Sequence, residues 1–541
     1  MTAFHEKVRL WTTFMMLLAV LPAAVAWAED SLSSSSGQTR VSVSADLGAL
    51  VLQTTPQDQS RAPGSADPSE LRLSLREAVL LALKNNLDIA IANYNPKINA
   101  ESITIAKAVF DPVASLTADA NKSVTPSITD PVLSGARVIK VENQDVNASL
   151  AQSLPIGGSY TLSLTNNRQD TNSVRAVINP SFKTGLTLSV TQNLLKNFGP
   201  DVNNAPIKTA RINQSISVTQ LRQQANTVIT NVHNGYWNLV FAIENLEVQK
   251  RSLRLARELE DLNKARVRAG VAAPVEVTQA EAQAAAQVQN VILAEKAIKD
   301  AEDQLKLIIN LPDGEKIWAR TVVPSDAPPF EVAPVDAEGS IQEALEKRPE
   351  YAAAKLTLQN TELNLRVARN QLLPSLQFQG NVGLNGLNSK DEGLGSDYGN
   401  LTSGDFYSWS AALVLSYPLG NRSAKSAFVQ ARLTDDQARV SLLNLKRQII
   451  SQVREGVRRI EADVRRVEAT RAARALAEEQ LRVERKRLEA GVTTTFNVLS
   501  FQRDLAAAQA SEIQAITTYN QDLANLEFVK GTVLEKNRLE L

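Results

Sequence analysis

"KARVRAGVAAPVEV" (Lys264–Val277) and "RKRLEAGVTTTFNV" (Arg485–Val498) are two versions of one turn, set 221 positions apart. In each, a basic helical stretch ends at Ala-Gly-Val and an apolar stretch follows. Glycine readily takes the left-handed conformation that ends many helices, so Gly270 and Gly491 each predict a helix terminus. Each stretch therefore predicts a tight turn between two antiparallel helices.

The residues around the two turns repeat as well. The helix before each turn carries apolar residues at spacings of 3 and 4, which predicts a coiled-coil-like seam. The equivalent seam positions are Val228, Val232, Tyr236, Leu239, Ile243 and Leu246 in the first half, and Ile449, Val453, Val457, Ile460, Val464 and Val467 in the second. The chain is therefore predicted to be a duplication.

The first half carries an insertion. "ALKNNLDIAIANY" from Ala82 matches "ALEKRPEYAAAKL" from Ala344 at a shift of 262, and Pro112 matches Pro374 at the same shift. Because the later shift is 221, 262 − 221 = 41 extra residues lie between Pro112 and Ala210.

The helical spacing of apolar residues predicts six helices. The long helices extend about 95 Å at ~1.5 Å per residue, so they need partners along their whole length. Pro274 suits the start of a helix, and Thr494 or Thr495 can cap another. We expect two short helices, stacked end to end, to flank each long one. The predicted helices are 75–108, 206–268 and 274–310 in the first half, and 340–370, 426–489 and 495–530 in the second.

The N-terminal segment has the features of an export signal. Lys7 and Arg9 precede an apolar stretch of signal length, and Ala26-Trp27-Ala28 offers a cleavage site; a buried N-terminal helix is the alternative. The predicted organisation is a signal peptide (1–28), a polar leader (29–70), a first repeat (71–324), a linker (325–339) and a second repeat (340–541). The chain has no cysteine, which excludes disulfides and thiol chemistry. Its 58 basic residues balance its 58 acidic ones, so no nucleic-acid partner is expected.

Between the helices, apolar and uncharged polar residues alternate. Examples are "DVNASLAQSL", "SYTLSLTN", "GLTLSVTQN", "SLQFQGNVGL" and "SWSAALVLSY". This pattern favours strands of a membrane β-barrel with a wet lumen, while a soluble β-sandwich is the alternative. Residues 122–144, 167–183 and 386–407 are expected to be outer loops. The candidates for interfacial aromatic girdles are Tyr160, Phe378, Trp409 and Tyr417.

Four to six strands cannot close a barrel, because membrane barrels start at about eight. The chain is therefore expected to supply a fraction of one, and a trimer of two-repeat chains gives a pseudo-sixfold wall. The strand pair within 145–166 either widens this barrel or folds elsewhere.

With these features, the sequence resembles the TolC-like outer-membrane efflux proteins (outer membrane factors) over residues 71–541. "LSLREAVLLALKNNLDI" (73–89) is similar to the family's opening helix, and "RVRAGV" and "RLEAGV" are similar to its periplasmic hairpin tips. The resemblance implies an α+β membrane protein of two repeats per chain. It also implies a trimeric outer-membrane β-barrel continuous with a long antiparallel α-helical coiled-coil barrel that extends into the periplasm.

The resemblance also implies a function and partners. The protein would be the exit duct of a tripartite efflux or type I secretion system, in contact with outer-membrane lipid, a periplasmic adaptor (membrane fusion) protein and an inner-membrane pump or ABC transporter. The implied adaptor-docking tips are Gly270, Val271, Gly491 and Val492. The implied periplasmic aperture residues are Glu276, Gln279, Asn497 and Ser500, of which only Glu276 is charged.

Two other functions are weighed. An enzyme is disfavoured because no catalytic motif stands in a suitable context, and His233 is the only histidine after the signal segment. No catalytic residue, metal ligand or cofactor is expected. An exported helical structural or adhesive envelope protein without a conduit is the remaining alternative.

Overall fold

The computed structural model describes residues 70–126, 137–311, 317–332, 334–389, 401 and 403–539. The expected signal peptide lies outside these residues, as does the expected leader apart from Glu70. No helix in the described part of the chain is both long enough and apolar enough to cross a membrane.

The first repeat runs from a short strand through helices and four long strands to the first helical hairpin. Its elements are β1 (Glu70–Leu73), α1 (Leu75–Asn85), α2 (Leu87–Lys107), β2 (Val113–Pro126), β3 (Val138–Leu154), β4 (Gly158–Thr171), β5 (Ser181–Asn193), α3 (Pro200–Asn203), α4 (Ala205–Arg268) and α5 (Pro274–Ile309). The short strand β6 (Thr321–Pro324) follows, and the second repeat then has two long strands between its helices: α6 (Ala337–Lys347), α7 (Pro349–Asn370), β7 (Ser375–Ser389), β8 (Tyr407–Ser416), α8 (Arg422–Glu489), α9 (Thr495–Lys530) and the final turn α10 (Val533–Lys536).

The predicted apolar seams form the cores of the two repeats. Val232 and Leu239 of α4 are fully buried, as are Ile449 and Val453 of α8. Gly235 packs against Leu305 of α5, and its equivalent Gly456 packs against Leu526 of α9; a Cβ would meet these side chains at 3.5 and 3.0 Å. The duplicated glycine therefore allows the two helices of each hairpin to approach closely.

Each predicted short helix is divided in two, which corrects the continuous helices expected over 75–108 and 340–370. The break falls at equivalent positions, Asn86 and Arg348. Asn86 takes an extended conformation, and its Oδ1 accepts hydrogen bonds from the N–H groups of Asp88 and Ile89, which starts α2. Arg348 precedes Pro349, and a residue before proline is driven out of the helical region.

The end-to-end stacking expected beside the first long helix is confirmed. The Asn86 Nδ2 donates to the carbonyl of Ile308 at 2.8 Å, and the Asn310 Nδ2 donates to the carbonyl of Asn85 at 2.8 Å. This reciprocal pair joins the end of α5 to the α1–α2 break. Both α5 and α2 pack along α4.

The six long strands form one antiparallel sheet in the order β2-β3-β4-β5-β7-β8. The strand pair within 145–166 therefore belongs to the same sheet as the other strands, in which β3 and β4 are the second and third strands. The strands also run further into the expected outer loops than predicted, because polar residues continue the ladder to Pro126 and Thr171. Residues 127–136 and 390–400 of those loops lie outside the described residues.

A second, two-stranded sheet joins the start of the first repeat to the segment before the second repeat, and it was not predicted. β1 pairs with β6 in parallel, and Leu75 N–H donates to Asp326 Oδ2 at 2.7 Å. The hydroxyl of Tyr236 lies 3.1 Å from both the Leu73 carbonyl and Asp326 Oδ2. Burial raises the pKa of Tyr236 to about 12, so the phenol keeps its proton and holds this sheet against α4.

Candidate functional site: hairpin tips and the open edges of the sheet

The two predicted turns have one backbone geometry. Gly270 has φ +77° and Gly491 has φ +74°. The following residue, Val271 or Val492, donates its N–H to the carbonyl five residues earlier at 3.0 Å. This pattern is a Schellman motif, which satisfies the last carbonyls of a helix and requires the left-handed residue that glycine supplies.

Both turns expose apolar side chains at the free end of the hairpins. Val271 is 66% exposed and Val492 is 65% exposed, and one helical turn further Val275 and its equivalent Phe496 are also exposed. Exposed apolar residues at equivalent places on two tips are typical of a contact surface. The assignment of Gly270, Val271, Gly491 and Val492 to adaptor docking stays a prediction.

A polar link joins the two hairpins just behind the tips. Thr495 is fully buried at the start of α9, and its Oγ1 lies 2.7 Å from Glu276 Oε2 of α5 and 3.1 Å from Asn263 Oδ1 of α4. Asn263, also fully buried, donates through Nδ2 to the Glu276 carbonyl, and Arg266 lies 3.8 Å from the Glu276 carboxylate. This link was not predicted, because its members are far apart in the chain.

The other aperture candidates have different surroundings. Asn497 is exposed and donates through Nδ2 to Thr493 Oγ1 at 3.0 Å, and Thr493 donates to Glu484 of the same hairpin. Gln279 is exposed, whereas Ser500 is half-buried. Of the four candidates, Glu276 is therefore the one whose carboxylate contacts the opposite hairpin. Their role at an aperture stays a prediction.

The register of the sheet collects the apolar residues of all six strands on one face. Cross-strand partners share a face, and the ladder runs Leu116–Ala148–Leu164–Leu186–Leu384–Tyr407. The opposite face carries Ser, Thr, Asn and Gln, as the alternation predicted. Tyr160, Phe378 and Trp409 lie on the apolar face. Tyr417 follows the end of β8.

Both lateral edges of the described sheet are open. Among the described residues, β2 pairs with β3 alone and β8 with β7 alone. Near the sheet the helices pack in the order α2–α4–α7–α8, and near the tips in the order α5–α4–α9–α8. Exposed apolar residues mark both ends of this helical layer: Ile91, Tyr94, Ile98 and Ile105 on α2, Val275, Ile292 and Leu293 on α5, and Val429, Leu433, Val440, Leu443, Leu476 and Val483 on α8.

His233, the histidine considered in the sequence analysis, lies on α4 away from the tips. Burial lowers its pKa, while a hydrogen bond with Asn537 opposes this shift. It packs among helices and has no place in the surfaces described above.

An apolar-faced sheet that continues into antiparallel helical hairpins with paired Gly-Val tips defines the TolC-like fold. Solved structures agree: the CmeC outer membrane channel of Campylobacter jejuni has a TM-score of 0.60 at 17% identity, over 93% of this chain and 98% of that one. The sequence matches the outer membrane efflux protein family over residues 139–311 and 340–532, so the chain belongs to this family, whose members are non-enzymatic conduits.

Two curated relatives are more similar in sequence. Nodulation protein T of Rhizobium leguminosarum bv. trifolii is 23% identical over 307 residues, which cover 56% of this chain and 63% of that protein. The pyoverdine export outer membrane protein OpmQ of Pseudomonas putida is 27% identical over 304 residues, which cover 55% of this chain and 60% of that protein. The chain therefore aligns with about three fifths of the length of each relative.

Proposed function

We propose that three copies of this chain form an outer-membrane channel that extends into the periplasm. The open edges carry this proposal, because a β8 edge can pair with the β2 edge of the next copy while α8 meets α2 and α5. Three six-stranded sheets give 3 × 6 = 18 strands, within the range of membrane barrels and wide enough for an aqueous lumen. The apolar face would contact lipid, and the Ser/Thr/Asn face would line the water-filled interior.

The helical layer would close into a tunnel by the same contacts. The apolar stripes on α2, α5 and α8 would be buried between copies. This burial would stabilise the assembly by about 25 cal/mol per Å² of apolar surface removed from water. Membership of the outer membrane efflux protein family supports this arrangement.

The channel would act as the passive exit duct of a tripartite efflux or type I secretion system. The exposed valines of the tips would contact a periplasmic adaptor protein, and an inner-membrane pump or ABC transporter would supply the energy. The cargo would be small molecules or polypeptides; similarity to a pyoverdine export protein supports small molecules. Separation of the hairpins would open the periplasmic end, and the adaptor would favour the open form by binding it more tightly.

Single-channel recording in planar bilayers tests the conduit directly. The purified protein is expected to migrate as a trimer and to conduct ions in discrete steps. An adhesive or structural stalk would give no conductance, and a monomer in detergent would contradict the assembly.

The tips are tested by Gly491→Pro. Proline is locked near φ −65° and lacks the N–H that Gly491 donates to the Leu488 carbonyl at 3.0 Å, so the turn cannot form. We expect loss of adaptor-dependent export with the trimer still in the outer membrane. Gly404→Pro is the matched control, because Gly404 also has positive φ (+71°) and open space around it but precedes β8. Unchanged export in Gly491→Pro would refute the role of the tip.

A further inference from the structure

A buried carboxyl group lies in the helical body of the second repeat, far from the tips. Asp463 occupies α8 among the apolar seam residues Ile460 and Val467, and only 7% of it is exposed. Its Oδ2 is buried and receives no hydrogen bond from any donor in the described part of the chain. An ionised carboxylate in this position would lack the donors that normally offset burial.

The group that faces Asp463 is a second carboxyl, that of Asp522 on α9. Ionised carboxylates only accept hydrogen bonds, so these two side chains can bond to each other only when one holds a proton. Two donors lie beside Asp522: Arg459 Nη1 is 4.0 Å from its Oδ1, and Asn525 Nδ2 donates to the same oxygen at 3.4 Å. The buried Oδ2 of Asp463 has no such donor, so Asp463 is the better site for the proton.

We propose that Asp463 and Asp522 bind one proton between them, and that this proton joins the two helices of the second hairpin. When the proton leaves, two adjacent negative charges face each other across the α8–α9 contact, and the packing of these helices weakens. This proton-binding site is independent of the proposed function, because it concerns packing within one chain.

The surroundings of the pair set its pH range. The charged groups that face Asp463 are Asp522 on α9 and Arg466 and Arg459 on its own helix, and the residues of α6 in the same core are Ile341 and Ala344, which are apolar. Burial and the neighbouring Asp522 carboxyl raise the pKa of Asp463 from 3.8 to about 6, although the two arginines oppose this shift. A pKa that is raised on folding means that the folded state is most stable at low pH, and this stability falls as pH rises from about 4 through about 6.

The first repeat provides an internal comparison. At the shift of 221, Asp463 corresponds to Ala242 and Asp522 corresponds to Ala301, both within the equivalent helix pair. The helix pair α4–α5 therefore packs without a carboxyl pair at these positions, and the nearby buried carboxyl of Glu302 faces Lys306 instead. We expect pH to affect the second hairpin and not the first.

The experiment is hydrogen–deuterium exchange of the purified full-length protein in detergent at pH 5 and pH 8, corrected for the intrinsic pH dependence of exchange. Residues 455–467 are expected to be about tenfold better protected at pH 5 than at pH 8, as a pKa near 6 requires. Residues 234–246, their equivalents in α4, should show no such change. In Asp463→Asn the amide donates to Asp522 at every pH, so the protection of 455–467 should become independent of pH.

Infrared difference spectra over the same pH range provide a second measurement that does not depend on stability. The band of a protonated carboxylic acid is expected to titrate near pH 6 in the native protein and to be absent in Asp463→Ala/Asp522→Ala, which copies the alanines of the first repeat. Equal pH dependence in both helix pairs, unchanged pH dependence in Asp463→Asn, or an infrared band that persists in the double variant would each overturn the proposal.

Discussion

Thr495→Val is expected to make the proposed channel open more easily at the end formed by the hairpin tips. The substitution removes the hydroxyl that lies 2.7 Å from the Glu276 carboxylate and 3.1 Å from Asn263 Oδ1, the link between the two hairpins. A hydrogen bond to a charged group contributes about 1.5–3 kcal/mol. Glu276 retains a quarter of its side-chain exposure, so water recovers part of this loss. We therefore take about 1.5–2 kcal/mol as the effect, which is a ten- to thirtyfold rise in the ratio of open to closed channels.

The assay is the open probability of single channels in planar bilayers. Thr493→Val is the matched control, because Thr493 also bonds to a glutamate near the tip, but Glu484 belongs to its own hairpin. Thr493→Val should leave the open probability nearly unchanged. In a Glu276→Gln background, Thr495→Val should have a smaller effect, since the two residues share one interaction. Equal effects of the two threonine substitutions, or full additivity with Glu276→Gln, would refute the reasoning.

Two further substitutions test the body of the molecule. Tyr236→Phe removes a buried hydroxyl that contacts Leu73 and Asp326, so hydrogen exchange in β1 and β6 should report about 1–3 kcal/mol less protection, while α8 keeps its protection. Leu188→Arg places a charge on the apolar face of the central strand β5, where a lipid contact would make it cost about 2–4 kcal/mol. The amount of trimer in outer-membrane fractions should fall, whereas Ser189→Arg on the opposite face should be tolerated; the reverse result would mean that the faces are assigned wrongly.

Local patterns predicted much of this fold because they report the contacts of each residue with its chain neighbours. The glycines at 270 and 491 and the seam around Val232 and Ile449 gave the hairpins and their cores. The alternation of apolar and polar residues along the strands predicted the apolar face of the sheet. The breaks at Asn86 and Arg348 were missed although Pro349 and the Asn86–Asp88 cap are readable signals, because the helical period continues across both breaks.

Long-range contacts could not be read in the same way. The β1–β6 pair joins segments about 250 residues apart, and both strands are too short for a periodic signal. The Thr495–Glu276 link and the Asp463–Asp522 pair likewise depend on which helices are neighbours. Comparison of the repeats gave one usable clue, since two aspartates in the second half stand where the first half has alanines.

The insertion in the first repeat keeps the number of strands in that repeat even. Each strand of an antiparallel sheet reverses the direction of the chain, so an even number of strands is needed to return it to the end where the helices begin. The first repeat has four strands and the second has two, and α4 and α8 therefore both leave the same end of the sheet. An insertion of 41 residues is long enough for one more β-hairpin. The turn at 155–157 sets the register of β3 and β4 so that the apolar residues of both strands lie on the apolar face of the sheet. The sheet can thus widen from four strands to six while the helical layer keeps its width of four helices, so the widths of the sheet and of the helical layer are set by separate parts of the sequence.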